Sequence, residues 1–435
     1  MVRHSTDILI IGGGPAGSTF GSLAASRGWQ VTLLERDEHP RFHIGESLLP
    51  MNLPIFKRLG VLEEIRRIGV PKLGADFSIA NTGNEHETFY FSEALGDSPD
   101  HAFEVRRSEF DQLLFEQCRK AGVDTHENTK VTGVELQSSG SHRVTAVDRD
   151  GREAVWEARY VVDASGRDTF MSSGQGWKKR NRKHASAAVF SHFRGVGRRP
   201  GRDQGNISLY WFAHGWIWLI PLRDDIMSIG AVCYPDYIKT RSGTLEDFLV
   251  GTLNGIAEIR DRIQTAELAT GVQATGNYSY LSSRMHGPGY LMIGDAFAFI
   301  DPVFSSGVYL AMSSAASGVD VAEAWLHGGS GRYRRECRRH RKVMQQGIGI
   351  FSWFIYRFTT PAMTYLMSNP RNTLRVYESV ISMLAGDVFH NKQVRRRLLV
   401  FKFIYYMAWL RSWRDGLAAA KRRRNGVVAS RNESA

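Results

Sequence analysis

A glycine-rich turn near the start of the chain constrains the fold more than any other feature. Residues 7–35 contain an apolar strand pattern, a helix pattern rich in small residues and a second apolar strand pattern. Glu35 ends the second strand pattern. This order predicts a βαβ unit whose helix N-terminus binds the pyrophosphate of a dinucleotide, with Glu35 on the ribose hydroxyls. The turn has the spacing GxGxxG, and its candidate cofactor-binding residues are Gly12, Gly14, Ala16 and Gly17.

Strand and helix patterns alternate along the rest of the chain, which predicts an α/β protein. We expect a Rossmann-like nucleotide-binding lobe to be interleaved with a β-rich substrate lobe and followed by a basic helical C-terminal region. The nucleotide-binding lobe is predicted at residues 1–75, 106–184 and 286–330. The substrate lobe is predicted at 76–105 and 185–285, and the C-terminal region at 331–435.

Two later turns favour FAD over a nicotinamide cofactor. The segments VVDASGR (161–167) and GDAFAFIDP (294–302) resemble the corresponding turns of flavoprotein monooxygenases. The resemblance implies that Asp295 holds the ribityl chain and that Arg107 lies against the cofactor, with Arg41 as a second candidate. The alternative for either arginine is a solvated surface charge.

The segment Trp216–Pro221 has the pattern WxWxIP, which resembles the diagnostic motif of flavin-dependent halogenases. Because side chains alternate along a strand, Trp216 and Trp218 lie on one face and can separate flavin from an organic substrate. The alternative is an ordinary core strand that happens to carry two tryptophans.

Lys72, in the segment GVPKLGADF, matches the position of the active-site lysine of this family. The resemblance implies that reduced flavin and dioxygen oxidise halide through a flavin C4a-hydroperoxide to hypohalous acid. Lys72 then holds the hypohalous acid by a hydrogen bond or as a haloamine, since a lysine amine can do either and loses its proton readily when buried. The alternative is a solvated lysine in a loop.

Residues 299–307 fit FxxPxxSxG, a second signature of the halogenases. Pro302 is a candidate FAD contact, and Ser305, Ser306 and Gly307 are candidate halide-binding residues because backbone N–H groups at a helix start attract anions. The alternative is that these residues contact flavin only. Tryptophan halogenases carry a glutamate near the lysine where this chain has Phe304. The chain is thus more similar to phenol and pyrrole halogenases, and free tryptophan is not expected as its substrate.

These features predict an FADH₂- and O₂-dependent enzyme that chlorinates or brominates an electron-rich aromatic ring, a phenol or a pyrrole, free or tethered to a carrier protein. Chloride or bromide is the expected halide substrate. FADH₂ is expected from a separate flavin reductase, because no second nucleotide fingerprint is present. The alternatives are a flavin aromatic hydroxylase, a reductase of the geranylgeranyl type, and a non-catalytic flavoprotein that binds a carrier protein or a membrane.

Charge is concentrated at the C-terminal end. Residues 331–435 contain 22 Lys and Arg against 5 Asp and Glu, in a chain of net charge +12. The tail is interpreted as a helical cap with solvated arginines, as a dock for an acidic acyl or peptidyl carrier protein, or as a membrane-surface contact. Nucleic acid is not expected, since no nucleic-acid-binding motif accompanies the charge. The three cysteines lack metal-site spacing, so no metal and a cytoplasmic location are expected.

Overall fold

The structure, a computed structural model, describes residues 2–83, 86–137 and 140–411. In chain order its strands are β1 (Val2–Ile11), β2 (Val31–Leu34), β3 (Val70–Lys72), β4 (Gly74–Ile79), β5 (Glu87–Tyr90), β6 (Ala102–Glu104), β7 (Asp124–His126), β8 (Thr129–Glu135), β9 (His142–Asp148), β10 (Glu153–Asp163), β11 (Lys178–Arg194), β12 (Ile207–Phe212), β13 (Gly215–Pro221), β14 (Ile226–Cys233), β15 (Glu267–Leu268), β16 (Gln273–Ser282), β17 (His286–Gly287), β18 (Tyr290–Met292) and β19 (Ala298–Phe299). Its α-helices are α1 (Pro15–Ala25), α2 (Leu53–Leu59), α3 (Leu62–Ile68), α4 (Arg107–Lys120), α5 (Phe170–Gly174), α6 (Pro235–Ile238), α7 (Leu245–Asn254), α8 (Ala257–Arg262), α9 (Ser306–Leu326), α10 (Ser330–Ile355), α11 (Pro361–Ser368), α12 (Val376–Ala385) and α13 (Lys392–Arg411).

The first sheet is built around a parallel core with the order β18-β10-β1-β2-β7. Strand β1 lies at its centre, with Ile8 beside Val31 of β2 and Tyr160 of β10. The core strands are apolar because α1, α4 and α9 form layers against the sheet. Helix α1 is buried along nearly its whole length, and its small residues let it approach β1 closely. The predicted Rossmann-like lobe is confirmed.

The second sheet has nine strands and is mostly antiparallel, with the order β19-β16-β11-β14-β13-β12-β4-β5 and β15 beside β11. One face carries Trp211, Trp216 and Trp218 into the main core, whereas the other face carries Ile217 and Leu219 into a second cluster covered by α7 and α8. Strand β13 therefore buries both faces. This sheet is the β-rich part of the predicted α/β fold, and the residue boundaries of the two lobes stay a prediction.

The C-terminal region is helical from α10 to α13, as predicted. Helix α10 packs on α9, and α11 contacts β4, so this region covers parts of both sheets. Within the described ranges, no helix combines the length and the hydrophobicity that a membrane crossing requires. Residues 412–435 of the predicted basic region lie outside the described residues.

Candidate active site

A cleft of about 360 Å³ lies between residues of the two large sheets and collects most of the predicted site residues. Gly17, Lys72 and Ser306 do not line it. The predicted site residues that line the cleft are Gly12, Gly14, Ala16, Glu35, Arg41, Arg107, Trp216, Trp218, Asp295, Pro302, Ser305 and Gly307.

The glycine turn between β1 and α1 is closely packed on one side and open on the other. Gly12 has φ +103°, and a Cβ atom there would lie 2.5 Å from the carbonyl oxygen of Ala164. A Cβ atom on Gly17 would lie 1.9 Å from the carbonyl oxygen of Gly12. For a Cβ atom on Gly14, by contrast, the nearest contact would be Arg41 Nη2 at 3.8 Å. Gly17 thus permits helix-to-strand packing, while Gly14 opens the N-terminus of α1 to the cleft.

Glu35 and Arg41 form the neighbouring wall of the cleft. Glu35 Oε2 accepts hydrogen bonds from the backbone N of Gly13 at 2.6 Å and from Arg41 Nη2 at 3.2 Å. Among the described residues, Arg41 Nε and Nη1 are buried and have no hydrogen-bond partner, although Nη1 lies 3.8 Å from Asp111 Oδ2. Buried guanidinium donors without partners fit an anionic ligand such as a pyrophosphate.

Arg107 and Asp295 lie further along the cleft. Arg107 donates to both carboxylate oxygens of Asp111, at 2.8 and 2.9 Å, and to the carbonyl oxygen of Ile44 at 3.0 Å. Its side chain is 11% exposed, so it is not a solvated surface charge. Burial raises the pKa of Asp295 to about 6, although the charges of Arg167 and Arg107 oppose this shift.

Trp216 and Trp218 project from the same face of β13 into the cleft. Their ring centroids are 5.8 Å apart, with 48° between the ring planes. Trp218 Nε1 donates to Ser228 Oγ at 3.2 Å, and the Trp216 ring contacts Phe358 edge-on. The two indoles are therefore held in place from behind and form a rigid aromatic wall.

The turn that leads into α9 closes the same end of the cleft. Ser305 has φ +55° and lies immediately before α9. Ser305 and Gly307 both line the cleft. Ser306 is fully buried, and its Oγ has no partner among the described residues. Phe304 packs edge-on against Phe354 and Phe358. This turn therefore presents two of its three predicted halide-binding residues to the cleft.

Lys72 lies at the end of β3, and not in a loop, with 1% of its surface exposed. Its Nζ donates to Ser47 Oγ at 2.8 Å and to the carbonyl oxygen of Leu48 at 3.2 Å. Ser47 itself lines the cleft. The amine is therefore one side chain behind the cleft wall.

Three polar residues at this wall were missed by the sequence analysis. Glu104 of β6 lies 3.8 Å from Lys72 Nζ, and Glu46 accepts a hydrogen bond from His192 Nε2 at 2.8 Å if that nitrogen carries the proton. Ser47 joins them, donating to Glu104 Oε1 at 3.2 Å. The available signals were a lone glutamate in the apolar run AFEV and a Glu-Ser pair at the end of a polar segment.

Comparisons with known proteins agree with this geometry. Residues 5–318 match the family described as FAD binding domain. The chain is 30% identical to the 1H-pyrrole-2-carbonyl peptidyl-carrier protein chlorinase of Pseudomonas fluorescens over 91% of this chain and 92% of that protein. It is 35% identical to a tryptophan 2-halogenase of Chondromyces crocatus over 72% of this chain and 60% of that protein. The solved structure of the flavin-dependent brominase Bmp2 superposes with a TM-score of 0.81 at 26% identity, over 92% of this chain and 98% of that one.

The family match, the cleft and these relatives define a flavoprotein with an FAD-binding lobe of the Rossmann type. The chain belongs to the flavin-dependent halogenases, and it is an oxidoreductase that uses FAD and a halide to halogenate an aromatic ring.

Proposed function

We propose that this protein chlorinates or brominates a phenol or pyrrole ring that is tethered to a carrier protein, with reduced FAD supplied by a separate flavin reductase. The observation that carries the proposal is the position of Lys72 relative to the cleft. A buried amine behind the cleft wall and an aromatic wall within the cleft separate the cofactor from the place where a ring would react.

The cleft residues fit FAD. The open N-terminus of α1 at Gly14 and the unpartnered donors of Arg41 suit the pyrophosphate, and Glu35 suits a ribose. Asp295 and Pro302, which also line the cleft, would hold the cofactor as well. When bound, reduced FAD supplies with dioxygen the oxidising power that converts halide to hypohalous acid. The backbone N–H groups of Ser306 and Gly307 would hold the halide, whereas that of Ser305 already donates to the carbonyl oxygen of Pro302 at 2.9 Å.

Lys72 and the tryptophans control where the oxidised halogen goes. Trp216 and Trp218 keep the ring away from the flavin, so that oxygen transfer to the ring is prevented. Hypohalous acid is small, and Ser47, which lines the cleft, is the side chain between the cleft and the Lys72 amine. The Lys72 amine either holds it there by a hydrogen bond or reacts with it to form an N–halogen bond with release of water. In both cases it presents the halogen to one ring carbon, which gives up its proton as the C–halogen bond forms and the amine or water is released.

The residue at position 304 supports an electron-rich phenol or pyrrole as substrate. Phe304 occupies the position of the carboxylate expected in tryptophan halogenases, and its ring contacts are the phenyl groups of Phe354 and Phe358. A phenol or pyrrole is reactive enough without that carboxylate. The pyrrole carrier-protein chlorinase, 30% identical along nearly its whole length, supports a tethered substrate.

The test is halogenation by the purified protein with FAD, a flavin reductase, NADH, oxygen and either chloride or bromide. Pyrrole-2-carbonyl and hydroxybenzoyl groups are offered both free and on a phosphopantetheinylated carrier protein. We expect a halide-dependent product with a new C–Cl or C–Br bond from a carrier-bound ring, and no product when the reductase is omitted. A hydroxylated ring that forms equally well without halide would overturn the proposal, as would sustained turnover with NADH alone.

A further inference from the structure

Lys72 and Glu104 are diagonal neighbours in the short antiparallel pair β3–β6, in which Glu104 lies opposite Val70. Lys72 lies directly beside Ala102 in this pair, and Glu104 Oε1 is 3.8 Å from Lys72 Nζ. Glu104 is fully buried, and its Oε2 has no hydrogen-bond partner among the described residues. Ser47 Oγ connects the two side chains, because it accepts from Lys72 and donates to Glu104. A cation and a carboxylate are thus enclosed together behind the cleft.

Burial affects the two groups in opposite directions. It lowers the pKa of Lys72, whereas the negative charges of Glu104 and, to a smaller extent, Asp76 raise it. It also raises the pKa of Glu104 to about 7, against the charge of Lys72 and the hydrogen bond from Ser47. Each group therefore depends on the other to remain charged, which is the expected behaviour of an ion pair removed from water.

The other charged groups near this pair are already engaged. Asp76 of β4 lies 3.4 Å from Arg199 Nε. The negative charge of Glu46 contributes least to the raised pKa of Glu104, and Glu46 Oε1 lies 2.8 Å from His192 Nε2. Among the described residues, Glu104 and Lys72 are thus each other's partners within ion-pair distance, and Glu104 has a larger effect on the pKa of Lys72 than Asp76 has.

We infer that Glu104 is a positioning residue that sets the charge of Lys72 and holds its amine at the Ser47 side of the cleft wall. The inference rests on the proposed function of Lys72. Either form of lysine chemistry requires a defined protonation state, since a hydrogen bond to hypohalous acid uses the ammonium and haloamine formation uses the neutral amine.

The first test measures the Lys72 pKa directly in the oxidised, FAD-loaded protein. The ¹³C signal of the methylene next to Nζ is followed through a pH titration and assigned by its loss in Lys72→Met. Glu104→Gln keeps the size and one acceptor of the side chain but removes its charge. We expect the proton affinity of Lys72 to fall by about tenfold or more in Glu104→Gln, because an opposite charge within about 4–6 Å shifts a pKa by one unit or more. Glu104→Asp should restore most of it.

A matched control is Glu378→Gln, which removes the carboxylate of a surface pair with Arg375. It should leave the Lys72 titration unchanged. If Glu104→Gln binds FAD and unfolds cooperatively but leaves the Lys72 titration where it was, the inference is overturned. If Glu104→Gln does not fold, Glu104→Asp decides the matter, since a shorter carboxylate must still produce a smaller shift in the same direction.

The second test is the pH dependence of halogenation. The limb of the profile that belongs to Lys72 should move to lower pH in Glu104→Gln: the alkaline limb if the ammonium is used, the acid limb if the neutral amine is used. A uniform fall in rate at every pH would show a merely structural role and overturn the inference. Absence of halogenation by the wild-type protein would remove the proposed function, yet the NMR titration would still report whether Glu104 sets the charge of Lys72.

Discussion

Lys72 combines an amine with almost complete burial, and this combination distinguishes it from the surface lysines of the chain. Its Nζ retains hydrogen bonds to Ser47 and Leu48, so the side chain is fixed in one position. A flexible, solvated lysine could not direct a small oxidant to one ring carbon. Fixed position and a lowered proton affinity are what the proposed chemistry requires of this residue.

Lys72→Ala should separate oxidant formation from ring halogenation. FAD binding and oxygen consumption should continue, because Lys72 does not line the cleft, while ring halogenation should fall by about a hundredfold or more for lack of positioning. Lys72→Arg should be nearly as impaired, since a guanidinium keeps its proton. The control is Lys57→Ala, at an exposed lysine of α2. Product yield and regiochemistry by mass spectrometry and NMR check the prediction, which fails if Lys72→Ala halogenates like the wild type.

Asp295 predicts a pH-dependent cost to stability. Its pKa is raised from an ordinary value of 3.8 to about 6, so the folded protein binds this proton more tightly than the unfolded chain does. The resulting stabilisation is complete below pH 4 and is lost as the pH rises through 6. Asp295→Asn stays neutral at every pH. In the absence of FAD, its unfolding free energy relative to that of the wild type should therefore rise by roughly 2 kcal/mol between pH 4 and pH 6.

Urea unfolding of the FAD-free proteins at a series of pH values checks this prediction. Asp150→Asn, in an exposed turn, is the control and should follow the wild type. We also expect Asp295→Asn to bind FAD more weakly, because the same carboxylate is the proposed ribityl contact. Parallel stability curves for Asp295→Asn and the wild type would show that this carboxyl has no such linkage.

At the scale of the element, β13 illustrates how one strand serves two cores. Trp216, Trp218 and Ile220 face the cleft, whereas Ile217 and Leu219 enter the cluster under α7 and α8. The strand is buried along its whole length. The strand period of two therefore places the tryptophans at the cleft without any contribution from a loop.

Replacing Trp216 or Trp218 with alanine should open the wall while leaving the strand in place. We expect FAD to bind, halogenation to fall by about tenfold, and peroxide and hydroxylated ring to increase, because the ring then reaches the flavin. The control, Ile217→Ala, creates a cavity on the other face of the same strand. It should lower the unfolding free energy by about 2–5 kcal/mol without changing the ratio of products. Equal product ratios in all three variants would show that Trp216 and Trp218 are ordinary core residues.

The elements that the sequence predicts well are those with local signals. The β1-turn-α1-β2 unit follows from glycine spacing and apolar periodicity, and the start of α9 at Ser306 follows from its signature. The Lys72 site does not, because it depends on β3 pairing with β6 across about 30 residues of chain. Resemblance identified Lys72, but no local pattern marks Glu104 as its neighbour. Pairing between distant strands is the information that a single sequence lacks.

At the scale of the whole molecule, the cleft exists because distant segments converge. The glycine turn lies at residues 12–17, the tryptophans at 216–218 and the turn before α9 at 302–307, yet all three border one space. The first sheet supplies the open helix N-terminus and the second supplies the aromatic wall. The site is thus a property of two sheets held together, and the C-terminal helices extend the molecule beyond it.

The C-terminal helices offer a surface for the proposed carrier protein. Helix α13 contains six Lys and Arg residues and no Asp or Glu, and it exposes Leu399 and Phe403 at 65% and 66%. An acidic acyl or peptidyl carrier protein would find both complementary charge and apolar side chains on such a surface. Solvated arginines without a partner remain the alternative at this helix.

Reversing two of these charges should weaken recognition of the carrier and leave the chemistry intact. Arg395→Glu/Arg396→Glu should raise the KM for the carrier-bound ring by about tenfold at low salt, with kcat nearly unchanged, because charges at a rim act mainly on association. The difference should shrink as the ionic strength rises, since exposed charges are screened beyond about 10 Å at 0.1 M salt. Halogenation of any free ring that the enzyme accepts should not change.

The matched control is Arg149→Glu/Arg152→Glu, a reversal of two exposed arginines in the turn between β9 and β10. If both double variants alter the KM equally, the effect comes from net charge, and α13 is a cap with solvated arginines.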